Sequence, residues 1–194
     1  SALAEYPSLR SLAIEGGGLT NQSLLQLAAS DRLPKSLRSL TLAGSFDEIS
    51  ALGDFINLEG LRLGSDALKN LAPIARLPLL AFLGVESAGL KTLEDLKNTD
   101  SLTTIGLIAP SLKSIAPIAA LPQLDTLFVE NAVLIDFGAL ADSDSLRVLE
   151  FRNTGLDSLD FLRGSGGGVS LDLDELYLRG NEIRDLDLLS QLPN

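Results

Sequence analysis

Residues 173–192 read LDELYLRGNEIRDLDLLSQL, a stretch in which Leu or Ile recurs at short, fixed spacings. In its first half, Leu176 and Leu178 alternate with other residues, which puts both side chains on one face of a short strand. In its second half the apolar residues lie three apart, a spacing that suits a turn or a short 3₁₀ or α segment. The stretch therefore predicts one strand followed by a segment that returns the chain on the opposite side.

The same pattern occurs eight times along the chain, and most copies start 21 or 22 residues apart. The repeats begin near residues 9, 37, 58, 80, 102, 124, 146 and 173. Two segments are near-copies, LAPIARLP at 71–78 and IAPIAALP at 115–122, and they are separated by 44 residues, or two periods. No single repeat can bury its own leucines, so neighbouring repeats must stack into one continuous core. Each fully buried Leu then stabilises the fold by roughly 1.5–3 kcal/mol.

This repeat resembles the leucine-rich-repeat family, and it is most similar to the short 22-residue class found in internalins and in a phosphatase-regulating protein. The resemblance covers essentially the whole chain and implies an α/β, β-rich solenoid. Such a solenoid has a curved parallel sheet on its concave face and short helices or 3₁₀ turns on its convex face.

One position departs from the family pattern. The ninth residue of a repeat is usually Asn, whose amide bonds the backbone of neighbouring loops. Here the ninth positions hold Gly17, Ser45, Asp66, Ala88, Pro110, Ala132, Thr154 and Asn181. Because Gly, Ala and Pro cannot make these side-chain bonds, we expect water or a different turn to satisfy the loops of the middle repeats.

We interpret residues 1–194 as a single leucine-rich-repeat domain with three irregularities. Residues 1–8 form either the tail of a preceding repeat or an N-terminal cap. The first repeat is 28 residues long, and its extra segment NQSLLQLAAS predicts a longer convex helix. The seventh repeat carries RGSGGG at 163–168, which predicts a flexible insertion. The uncapped ends make further repeats or domains of the parent chain an additional candidate partner.

Composition limits the function more than it defines it. The chain has no His and no Cys, so it lacks Ser-His-Asp and Cys-His arrangements, disulfides and the usual zinc ligands. We therefore predict no enzyme activity, no catalytic residues, no cofactor and no metal. The formal charge of −11 argues against nucleic acid as a partner, and no apolar stretch predicts membrane insertion. The compartment stays open: the cytoplasm is slightly favoured, and a secreted or surface protein is the alternative.

The outward strand positions carry the remaining information about binding. Eight acids and six bases occupy them, so most of the −11 charge must lie on the convex side and flanks. Six of the ten Arg residues but none of the five Lys residues are among these bases. Arg is the cation that protein interfaces favour, because its planar head makes paired hydrogen bonds and stacks on rings.

An apolar group in the middle of this face predicts the binding centre. Phe82, Ile108 and Phe128 occupy positions where solvent-facing strand residues are usually polar, and Gly84 and Gly106 between them leave a shallow floor. An apolar centre with a charged rim is the usual anatomy of a protein-binding hot spot. The predicted rim and its extension into the last repeat consist of Glu86, Glu130, Arg62, Arg152, Tyr177 and Arg179.

These observations favour a non-enzymatic protein–protein interaction module that binds a protein on its concave face. One alternative is a structural or spacer segment of a larger multidomain or surface protein. Another is an inhibitor or immunity protein that blocks one enzyme. The differentiated concave face favours binding, whereas the open-looking ends favour the spacer.

Overall fold

The computed structural model describes residues 8–30, 32–119, 121–163, 169 and 171–191, except for the side chains of residues 142 and 191. The predicted preceding-repeat tail at 1–8 and the glycine-rich insertion at 163–168 therefore lie, apart from Ser8 and Arg163, outside the described residues.

Within the described ranges, eight strands form one parallel sheet in the order of the sequence, β1 to β8. Each strand begins at the third residue of a repeat, because the alternating Leu pair at the fourth and sixth positions defines its inward face. The strands are β1 (Ser11–Thr20), β2 (Ser39–Ser45), β3 (Gly60–Gly64), β4 (Phe82–Glu86), β5 (Thr104–Ile108), β6 (Thr126–Glu130), β7 (Val148–Arg152) and β8 (Glu175–Tyr177).

Inward strand residues stack in register from one repeat to the next. In the middle of the sheet, Leu107 of β5 pairs with Val85 on one side and with Val129 on the other. All three are at most 3% exposed. This continuous apolar row is the predicted source of stability, since each repeat covers the leucines of its neighbour.

Short helical segments return the chain on the opposite side of the core, which confirms the predicted convex face. The described residues contain three α-helices, α1 (Asn21–Ala28), α2 (Leu33–Ser36) and α3 (Ala116–Ala119). Six 3₁₀ segments complete this layer in the described ranges, at Ser50–Asp54, Ala72–Arg76, Glu94–Leu96, Gly138–Asp142, Asp160–Leu162 and Asp187–Gln191.

The first repeat carries the longest helix of this layer among the described segments. Helix α1 covers the extra segment NQSLLQLA, as the sequence predicted, and Leu24 and Leu27 bury its inner side. At its first turn the side chain of Asn21 accepts hydrogen bonds from the backbone N–H groups of Asp47 and Glu48. The helix therefore holds the loop of the second repeat as well as covering the end of the core.

Two serine side chains form hydrogen bonds with loop backbone groups, as the asparagines of the family pattern do. The Ser65 hydroxyl donates to the carbonyl of Phe46 and accepts from its N–H, and the Ser87 hydroxyl donates to the carbonyl of Leu68 at 2.7 Å. Both serines occupy the eighth rather than the ninth position of their repeats. Side chains one residue before the usual Asn position thus bond the loops of the second and third repeats.

Leucines of the last repeat depart from the buried pattern. Leu186 is 59% exposed and Leu189 is 37% exposed, although both fit the apolar spacing of the repeat. A leucine at these positions is buried by the repeat that follows it, and none of the described residues covers them. The repeat pattern alone therefore overestimates burial in the last repeat.

Candidate functional site

The outward residues of the sheet form three parallel rows across the concave face. The central row runs through Thr41, Arg62, Gly84, Gly106, Phe128 and Glu150, which pair in register between neighbouring strands. The N-terminal row runs through Ser39, Gly60, Phe82, Thr104, Thr126 and Val148. The C-terminal row runs through Ala43, Gly64, Glu86, Ile108, Glu130 and Arg152.

A groove of about 430 Å³ crosses the middle of these rows. It brings together six of the residues that the sequence singled out, namely Arg62, Phe82, Glu86, Ile108, Phe128 and Glu130. Ile108 is 36% exposed, and Phe82 and Phe128 are half-buried. The groove thus presents apolar side chains to solvent on a sheet face whose flanks are charged.

Arg62 packs on the apolar centre and does not stand apart at the rim as we had expected. Its guanidinium carbon lies 4.4 Å from the centroid of the Phe82 ring. A cation over a ring face at this distance is attracted by the electrons of the ring. Gly84 permits the contact, because a Cβ atom there would lie only 3.3 Å from Cγ of Arg62 and 3.4 Å from Cε1 of Phe82.

The described strands β3 to β5 contain four glycines, and only at Gly106 is the space for a side chain fully open. A Cβ atom at Gly106 would meet nothing within 4 Å. Its partner in the next strand is Phe128, and its other partner is Gly84, beneath the Arg62–Phe82 stack. We call this space, bounded by Phe82, Ile108 and Phe128, the Gly106 seat.

The acidic residues beside the seat differ in how their charges are balanced. Glu130 forms an ion pair with Arg152 at 3.5 Å, and the same guanidinium bonds Glu150 at 2.9 Å. Glu86, by contrast, forms no ion pair within the described part of the chain. Arg152 forms ion pairs with Glu130 and Glu150, and Arg62 packs on the ring of Phe82. Among the described residues, the carboxylate of Glu86 is therefore an unpaired negative charge at this end of the groove.

Three residues that the sequence predicted lie outside the groove, namely Arg152, Tyr177 and Arg179. Tyr177 is in β8 and is 39% exposed, and its hydroxyl donates a 2.9 Å hydrogen bond to Glu175. This hydrogen bond, together with the negative charge of Glu175, raises the pKa of Tyr177. The Arg179 guanidinium lies 5.9 Å from the Tyr177 ring, so these side chains form a second, smaller group on the same face.

The groove also includes residues that sequence reasoning missed. Glu15, Thr41 and Ala43 line it from the first two strands. Glu150 lies outside the lining and forms an ion pair with Arg152. All four occupy outward strand positions, and the repeat register already placed Glu15 and Glu150 among the eight outward acids. None of the four was predicted to bind the partner. The apolar outward residues that predicted the binding centre lie in repeats four to six, and these four residues lie in other repeats.

The side chains of the groove are apolar, acidic and basic. No set of three or more Asp or Glu side chains in the described ranges is grouped so that it could hold a metal ion. No helix in the described ranges is long and apolar enough to cross a membrane. The side chains that converge on the groove are aromatic rings, an isoleucine, carboxylates and guanidinium groups, and these recognise other surfaces through apolar contact and ion pairing.

The backbone of this protein is that of a leucine-rich-repeat solenoid, and solved structures of that class superimpose on nearly all of it. An internalin (InlF) from Listeria monocytogenes matches 98% of the chain with a TM-score of 0.68 and 17% identity, and 67% of the internalin is covered. A leucine-rich-repeat protein of Leptospira interrogans matches 98% with a TM-score of 0.69 and 19% identity, and 48% of that protein is covered.

The functional domain of InlJ from Listeria monocytogenes, which includes a cysteine ladder, matches 96% of the chain with a TM-score of 0.64 and 20% identity. The chain spans only 38% of that domain. No family model matches the sequence, and no curated protein matches it. The structural likenesses confirm the predicted solenoid and its resemblance to internalins as a fold.

Proposed function

We propose that this protein is a non-enzymatic interaction module that binds a protein partner across its concave face. The observation that carries the proposal is the groove, in which Phe82, Ile108 and Phe128 surround a glycine floor and charged residues border them. Exposed apolar side chains grouped within a polar rim are typical of binding hot spots. The absence of His and Cys from the sequence supports a non-enzymatic role.

The open shape of the groove favours a protein over a small molecule. Small-molecule sites are usually enclosed, because they bury most of the surface of their ligand. Here the groove lies open along the sheet and takes residues from β1 to β6. A partner that follows it would contact six repeats and could reach the roughly 800 Å² per side of a standard interface.

Affinity capture with matched baits tests this proposal. The immobilised protein, a Phe82→Ala/Phe128→Ala variant and a Lys113→Ala variant are each exposed to extract from the encoding organism. Lys113 is exposed and lies outside the strands, so its replacement leaves the concave face intact. We expect at least one protein to bind the native bait and the Lys113 variant but not the double variant.

Equal capture of a protein on all three baits would contradict binding at the groove, because the partner would then dock elsewhere. If no bait captures a protein, the result favours the spacer role. If the captured protein is an enzyme, its activity in the presence of the native chain distinguishes an inhibitor from a general interaction module.

A further inference from the structure

We propose that the Gly106 seat accepts a basic side chain, Arg or Lys, from the protein partner, with its charged head on Glu86. This inference rests on the proposed function and specifies what the concave face recognises. It follows from the shape of the seat, from the apolar walls and from the charge at one end.

The seat can hold the stem of a long side chain. The position above Gly106 is open, and Phe82 and Phe128 belong to the strands on either side of it. With roughly 4.8 Å between neighbouring strands, these two strands lie about 9.6 Å apart. A methylene chain or a planar guanidinium between two rings fits this width, and both gain from contact with aromatic faces.

Glu86 determines which head group such a stem must carry. It lies one strand across and two residues along from Gly106, a separation of about 8 Å between Cα atoms. An Arg or Lys side chain spans most of that distance. An apolar or acidic occupant would cover Glu86 without supplying a donor, and a carboxylate that loses water without gaining a partner destabilises the complex.

Arg62 and Arg152, the two arginines predicted at the rim of the apolar centre, do not neutralise this end of the groove. Arg62, in the central row, is held over Phe82, and Phe82 lies in the row on the opposite side of the seat from Glu86. Arg152 is held between Glu130 and Glu150, so its charge is already matched. An incoming cation therefore meets one free carboxylate, with a partly exposed second one beyond Ile108.

Titration with amino-acid amides tests the inference without knowledge of the partner. The probes are N-acetyl-argininamide and N-acetyl-lysinamide, compared with N-acetyl-leucinamide, N-acetyl-phenylalaninamide and N-acetyl-glutamic acid amide. Amide ¹H–¹⁵N spectra of the full chain report binding at Gly84, Gly106 and Ile108. We expect saturable shifts at these residues with the two basic probes and weaker binding of the other three.

Two variants and a matched control establish where the probes bind. Glu86→Gln should weaken the basic probes by about two- to fivefold, the range measured for exposed ion pairs. Glu94→Gln, on an exposed carboxylate of a 3₁₀ segment outside the sheet, should leave their binding unchanged. Gly106→Val should remove the saturable shifts, because its side chain fills the open space and suits a strand.

Several results would overturn the inference. These are equal binding of the leucine or phenylalanine probe, equal effects of Glu86→Gln and Glu94→Gln, or no saturable shift with any probe. The outcome is separable from that of the proposed function. A captured partner that depends on Phe82 and Phe128 but ignores Glu86→Gln overturns only the basic-side-chain inference. A partner that ignores all three residues overturns both proposals.

Discussion

Replacing Leu107 by Asp in the middle of the solenoid should unfold or split the array, whereas the same change at Thr104 should be nearly silent. Both residues belong to β5, but Leu107 is 2% exposed and lies in the inward row between Val85 and Val129. Thr104 lies in the N-terminal row of the concave face.

The expected magnitudes follow from this difference in burial. Truncation of a buried Leu costs about 2–5 kcal/mol, and an unpaired carboxylate in the same place adds several more. The total exceeds about 5 kcal/mol, which is comparable to the whole stability of many domains. For a chain of this size it corresponds to a fall in melting temperature of at least about 10 °C. Thr104→Asp should cost at most about 1 kcal/mol, the span of strand propensities, or about 2–4 °C.

Thermal unfolding followed by circular dichroism measures both variants under one set of conditions. Because each repeat is stabilised by its neighbours, Leu107→Asp should also broaden the transition or divide it into two. If the two variants lowered the melting temperature equally, the inward register of β5 would be wrong, and with it the assignment of every outward residue of the groove.

Four further predictions concern three single substitutions and the effect of calcium. Gly44→Ala should destabilise the fold by about 1–3 kcal/mol in urea denaturation, since its Cβ would lie 2.5 Å from the carbonyl oxygen of Leu19. At Gly106 an added Cβ atom would meet open space, so Gly106→Ala should leave the free energy of unfolding unchanged or raise it by up to about 1 kcal/mol. If Gly44→Ala and Gly106→Ala lowered this free energy equally, the packing around the two glycines would be contradicted. Glu175→Gln should lower the pKa of Tyr177, because it removes the carboxylate that raises this pKa. An ultraviolet titration measures the pKa in a chain whose other tyrosine is replaced by Phe, and an unchanged value would refute the hydrogen bond between Tyr177 and Glu175. Folding should not depend on calcium, so melts with calcium and with chelator should coincide, and a rise of several degrees with calcium would refute this.

The fold was predictable because its determinants repeat. Buried positions such as Leu61 and Leu83 recur at the fourth residue of a repeat, and each occurrence strengthens the assignment of the others. The same register gave the outward positions of the groove, since side chains alternate between the two faces of a strand. Periodicity therefore carries both the core and the identity of the surface residues.

Features that depend on the direction of one side chain were not predictable in this way. The stack of Arg62 on Phe82 requires the space that Gly84 leaves, and a sequence pattern gives no rotamer for a long cation. The hydroxyls of Ser65 and Ser87 bond their loops from the eighth position, where the family pattern has no marker. These details arise from local packing, which differs between repeats that share the same leucines.

The loss of affinity at the two aromatic residues tests the central claim, that a protein partner docks on the apolar centre of the concave face. Once the partner has been captured, its affinity is measured by calorimetric titration for the native chain, Phe82→Ala, Phe128→Ala and the Lys113→Ala control. A hot spot predicts a loss of at least about 2 kcal/mol, roughly thirtyfold in the dissociation constant, at one or both Phe residues with folding intact. If both Phe variants bind as tightly as the control, the partner docks elsewhere and the claim is contradicted.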